Sequence, residues 1–140
     1  MEEKIAKCFL VSCVSEKRNS SAKAKDLYIS ALFTKARAFV EKAGGAWFIL
    51  SAKHGLVHPE ATISPYGETL NSMGTAARRA WAKRVIEQME RELPKSEEIV
   101  ILAGQRYREY LMDYLATRAR VSLPLEGFRI GEQLSWLSRQ

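Results

Sequence analysis

No stretch of this 140-residue chain carries a Walker-type phosphate loop, a G-x-G-x-x-G turn, an H-E-x-x-H helix, a C-x-x-C pair or a G-x-S-x-G elbow. These absences argue against P-loop nucleotide hydrolysis, dinucleotide redox chemistry, zinc hydrolysis and the α/β-hydrolase nucleophile. Cysteine is scarce, with Cys8 and Cys13 the two examples. An odd spacing on one predicted strand turns their side chains to opposite faces, so no disulfide is expected, and two thiols alone build no zinc site. Reduced thiols fit the cytoplasm. No apolar run approaches the roughly 18–20 residues that span a bilayer. The opening Met1-Glu2-Glu3-Lys4 lacks the basic and apolar regions of a signal peptide. The expectation is a soluble cytoplasmic protein with no membrane partner, no metal and no cofactor.

What is present is enough for one ordinary domain spanning residues 1–140. Hydrophobic residues make up 46% and charged residues 27%. The net charge is +6 and the pI about 9.5. That bias suits a polyanionic partner, either nucleic acid or a phosphorylated ligand.

Apolar patterning sets the order of elements. Ile5 to Cys13 reads as a strand centred on Phe9-Leu10-Val11, followed by the polar run Ser15 to Ser21. A helix is predicted from about Asp26 to Ala43, stopped by Gly44-Gly45. Ala46 to Ser51 reads as a strand buried on both faces. The connection from Lys53 to about Gly74 shows no periodicity, and a structureless loop of about 20 residues is usually functional. A helix over Thr75 to Glu92 follows, with Ala77, Trp81, Val85 and Met89 as its apolar line. Glu98 to Ala103 is the third strand. Tyr107, Tyr110, Leu111, Tyr114 and Leu115 trace one face of a helix starting near Gln105. Arg120 to Leu123 is a fourth strand, and a closing helix over Ile130 to Arg139 turns Ile130, Leu134 and Leu137 inward. This alternation predicts a three-layer α/β fold, with a mostly parallel sheet of about four strands and helices on both faces.

In such sheets the carboxyl ends of the strands open into a ligand crevice. The predicted strand ends supply Ser12 and Cys13, then Ser51, Lys53 and His54, then Gly104 and Gln105, then Glu126 and Gly127. Cys13, Lys53 and Gln105 are therefore expected around one hollow. Cys13 is either a nucleophile ionised beside Lys17 or Lys53 or a small cleft-lining residue. His54 is a general acid–base or phosphate-ligand candidate, against a loop histidine bonded to backbone. Lys53 suits phosphate. Tyr66, in the proline-stiffened Ile63-Ser64-Pro65-Tyr66-Gly67, could stack on a base or anchor the loop. Arg78, Arg79, Lys83 and Arg84 crowd one helix and could grip backbone phosphates, against a solvated helix face. Glu126, Glu132 and Gln133 flank the last turn. Glu132 could position water for N-glycosidic hydrolysis or complement a helix dipole.

The segment Leu50 to Val57 with Ile63-Ser64-Pro65-Tyr66 resembles the central motif of the YaaA family, a Ser-Gly-x-Tyr-Gly segment followed by a proline and an Ile-x-Pro-Tyr segment. That resemblance implies a DNA-binding protein linked to oxidative stress, with a basic cleft. Nearly the whole chain resembles a phage and bacterial family of small domains of unknown function. The resemblance rests on Ser12-Cys13, on Asp26-Leu27-Tyr28-Ile29-Ser30, on Ser51 to Leu56, on Leu102-Ala103-Gly104 and on Gly131 to Leu137. The first strand end is also similar to domains attached to deazaguanine tRNA-modifying enzymes. Together these readings predict a nucleic-acid-associated domain whose pocket receives a nucleobase or nucleotide. If it is an enzyme, the expected reaction is N-glycosidic cleavage, as in a DNA base glycosylase. The alternatives are a non-catalytic DNA-binding module and an enzyme on a small phosphorylated metabolite.

Overall fold

The computed structural model describes residues 3–12 and 16–140. The apolar runs read from the sequence form the sheet. Its strands include β1 (Ile5–Ser12), which is followed by the two-residue β2 (Ala22–Lys23) and helices α1 (Ala24–Leu27) and α2 (Ala31–Ala43). Then come β3 (Ala46–Ser51), β4 (Gly55–Val57), β5 (Thr62–Ile63) and α3 (Thr75–Glu92). The chain ends with β6 (Ser96–Leu102), α4 (Gln105–Arg108), α5 (Met112–Arg118), β7 (Arg120–Ser122) and α6 (Ile130–Ser138). The main sheet has five strands in the order β4-β3-β1-β6-β7. β1 pairs in parallel with β3 and β6, β6 pairs in parallel with β7, and β4 folds back antiparallel on β3.

Alternation along β1 assigns the two faces. Phe9 meets Phe39 of α2 edge to face at 5.9 Å, and Phe39 in turn meets Trp136 of α6 at 5.3 Å. One position earlier, Cys8 faces α5; burial pushes its thiol up to about 12, opposed only in part by Arg118. On that second face Trp81 of α3 packs on Tyr107 of α4 at 6.0 Å. Arg118 of α5 donates to the carbonyls of Met89 and Leu93 at 3.3 and 2.9 Å. The result is a three-layer α/β arrangement. Among the described residues no helix is long and apolar enough to cross a membrane.

Several elements differ from the sequence reading. The connection after Ser51 is ordered: β4 makes a hairpin with β3, β5 pairs with β2, and Leu70–Ser72 forms a 3-10 turn. Glu60 joins this ribbon to α1 through Lys25 and Lys23, whose contacts hold its carboxyl down to about 2. The helix expected from Asp26 is broken at Tyr28, where ψ is 126°, and restarts at Ser30, whose Oγ accepts the Phe33 N–H at 3.2 Å. That is an N-cap. The tyrosine-striped helix is likewise two pieces, α4 and α5. On α3 the buried line is Arg78, Trp81, Ala82, Val85 and Met89, with Ala77 in solvent. At the C-terminal helix Leu137 is buried but Ile130 is 58% exposed, because it begins the helix beyond the sheet.

Candidate functional site

The parallel strands leave β1 in opposite directions, β3 to one side and β6 with β7 to the other. Such a reversal parts the connections at the carboxyl edge and leaves a crevice there. A cavity of about 220 Å³ occupies that position. Its floor is the end of β1, at Val11 and Ser12, and the end of β6, from Ile101 to Gly104. Leu32, Phe33 and Ala36 of α2 form one wall, and Leu123, Leu125 and Phe128 of the turn after β7 form the other. Polar groups gather at the rim: Gln105, Arg108, Glu126 and Gln133.

Local chemistry sets each rim group. Gly104 ends β6 and starts α4, so Gln105 and Arg108 project from one helical turn. The Arg108 Nε donates to the Ala103 carbonyl at 3.2 Å, and its Nη1 lies 3.8 Å from the Glu126 carboxylate. Gly127 adopts φ +81°, a conformation that favours glycine, and it turns the chain so that Glu126 faces Arg108. The Gln133 Nε2 donates to the Phe128 carbonyl at 3.0 Å and ties α6 to that turn.

A second polar group lies beside the crevice, joined to it by Phe33. The Phe33 ring meets Tyr28 at 5.1 Å, and the Tyr28 and Tyr66 hydroxyls are 2.6 Å apart. Ser51 Oγ donates to the Tyr66 hydroxyl at 2.7 Å and accepts the His54 N–H at 3.0 Å. The Ser51 carbonyl accepts the Trp81 indole N–H at 2.9 Å. The His54 ring stands edge-on to Tyr66 at 5.5 Å, and its Nε2 is buried with no hydrogen-bond partner among the described residues. Burial first, then the neighbouring Lys53, lowers the imidazole below its ordinary value, against a small opposing pull from Glu68. Lys17 lies 4.6 Å from the centre of the Tyr66 ring.

Of the residues singled out in the sequence, Ser12 and Gln105 line the crevice. Ser51, His54 and Tyr66 form the adjoining hydroxyl cluster, where the Tyr66 ring is packed against the body. Lys53 is exposed on the β3–β4 hairpin and does not line the crevice. Cys13 lies outside the described residues. Arg78 is 8% exposed and is held by the fold, its Nε donating to Glu109 at 2.9 Å and its Nη1 to the Met73 carbonyl at 2.6 Å. Arg79 is exposed and covers Tyr110, 4.5 Å from the ring centre. Glu132 turns away from the crevice and accepts the Arg129 N–H at 2.9 Å in a capping box. Sequence reasoning missed Arg108 and the aromatic walls Phe33 and Phe128. The signal for Arg108 was its place one helical turn after Gln105.

The family DUF6884, described as a family of unknown function, matches residues 8–139. The chain belongs to this family. The match covers the strand ends of the crevice floor and Gln133 of α6 at its rim. The chain is also similar to the uncharacterized protein YfjM of Bacillus subtilis (strain 168), 28% identical over 120 residues that make up 84% of this chain and 79% of that protein. No solved structure matches.

Proposed function

We propose that the crevice at the β1/β6 junction is a nucleobase or nucleotide pocket in a nucleic-acid-associated protein. The observation that carries this reading is the pairing of two apolar walls with an amide, guanidinium and carboxylate rim at the sheet's carboxyl edge. Phe33, Leu123, Leu125 and Phe128 give an apolar lining that suits a flat ring, and Gln105 and Gln133 suit the mixed donors and acceptors of a base edge. A volume of about 220 Å³ falls below the roughly 300–1,000 Å³ of pockets for drug-sized ligands, so the occupant is one base or nucleotide and not a dinucleotide. The net charge of +6 suits a polyanionic partner such as DNA. A base would have to leave its stack to enter.

N-glycosidic hydrolysis is the reaction this pocket would serve. Its carboxylate would be Glu126, since Glu132 is committed to its helix cap. A thermal-shift screen of nucleobases, nucleosides, nucleotides and short oligonucleotides tests the binding. At least one base-bearing compound should raise Tm, and Gln105→Ala or Gln133→Ala should reduce the shift. A flat response across the panel would refute the reading. An abasic-site assay on modified and unmodified DNA tests the hydrolysis, with Glu126→Gln expected to abolish product.

A further inference from the structure

We propose that the Arg108–Glu126 pair is a latch opened by phosphate, which makes the crevice ligand a nucleotide and not a bare base or nucleoside. This rests on the reading of the crevice as a base-binding pocket. Arg108 is held ready: its side chain is 19% exposed, and its Nε is anchored on the Ala103 carbonyl at the end of β6. Its Nη1 faces Glu126 at 3.8 Å, close enough for attraction but too far for a hydrogen bond. The Glu126 carboxylate is 60% exposed. A hydrated carboxylate at that distance is a weak partner for a guanidinium. A phosphate offers two oxygens in the fork geometry that arginine prefers, and it carries more charge. Glu126 therefore competes with a phosphate for Arg108; when phosphate binds, the guanidinium turns to it and the Glu126 carboxylate is released from the pair at the crevice rim.

The shared chemistry is a nucleotide phosphate, either the monoester of a free nucleotide or the diester of a strand. Calorimetric titration would compare the common nucleosides, their 5′-monophosphates and the matching dinucleoside monophosphates. The phosphate-bearing form should bind about tenfold tighter than its nucleoside. That gap should vanish in Arg108→Gln and return in part in Arg108→Lys. Glu126→Gln should widen it by about two- to fivefold, the strength of the competing pair. A gap for the monoester alone identifies a free nucleotide, and an equal gap for the diester identifies a strand. A nucleoside that binds as tightly as its phosphate, or a gap unmoved by Glu126→Gln, overturns the latch and leaves the pocket reading standing. No binding by any compound to the wild-type chain, with circular dichroism showing it folded, removes both.

Discussion

At the scale of single residues, three polar side chains carry more structure than their chemistry suggests. Ser51 has one hydroxyl serving two partners, Tyr66 and the His54 N–H, while its carbonyl serves Trp81. Ser51→Ala should cost about 1–3 kcal/mol, because it removes the hydroxyl that bonds both the part-buried Tyr66 hydroxyl and the His54 N–H; urea unfolding measures it. Arg78 behaves similarly. Its guanidinium joins α3 to Glu109 and to the Met73 carbonyl, so Arg78→Ala should cost about 2–3 kcal/mol. Lys83→Ala and Arg84→Ala, both exposed, should change stability by no more than about 0.5 kcal/mol. His54 predicts a pH dependence. Its folded imidazole titrates below the ordinary value, chiefly through burial, so the unfolded chain binds more protons as pH falls below about 6.5. The contribution is intact above that pH and is lost as pH falls through the lowered folded value. Tm between pH 7.5 and 5 should therefore drop more steeply for the wild type than for His54→Gln; parallel curves would contradict the assignment. None of these three roles could be read from residue type, since Ser, Arg and His next to polar neighbours look the same whether they bind a ligand or the fold.

At the scale of elements, the long apolar strands β1, β3 and β6 were legible because each is buried on both faces and reads as a continuous run. The short ones were not. β4 has three residues, and β2 and β5 have two each, too few to show a period. Gly55 was the available clue to the hairpin, and its φ of +75° shows why a glycine stands there. Its other role is contact: Gln88 of α3 accepts the Leu56 N–H at 2.9 Å and donates to the His54 carbonyl at 3.1 Å, leaving no room for a Cβ at Gly55. Gly55→Ala should therefore destabilise the chain by about 1–3 kcal/mol. Gln88→Ala should loosen the same hairpin, and faster amide exchange at Leu56 and Val57 would report it. The helix breaks were also hidden. Ser30 is a recognisable cap, but the apolar residues on both sides of it continue at helical spacing, so periodicity alone ran two helices together.

At the scale of the whole molecule, the strand order converts a list of strand ends into one crevice. The alternation of strands and helices in the sequence was enough to predict a layered, mostly parallel sheet and an open carboxyl edge. It was not enough to say which ends meet. Ser12 and Gln105 do, because β1 and β6 are neighbours across the reversal; Lys53 does not, because the β3–β4 hairpin carries it aside. The crevice walls come from α2 and from the turn after β7, elements far apart in the chain, so no local motif could reveal them. The basic charge that suggested a phosphate partner is likewise divided: Arg78 is held by packing, and among the described residues Arg108 is the cation lining the crevice.

The claim that the β1/β6 crevice is the ligand site is tested most directly by amide chemical-shift mapping during titration with nucleoside 5′-monophosphates. The account predicts saturable shifts at Ser12, Phe33, Gly104, Gln105, Gly127 and Phe128, with Lys53 and Lys83 unmoved. Shifts confined to the outer face of α3, or none with any nucleotide, would contradict it.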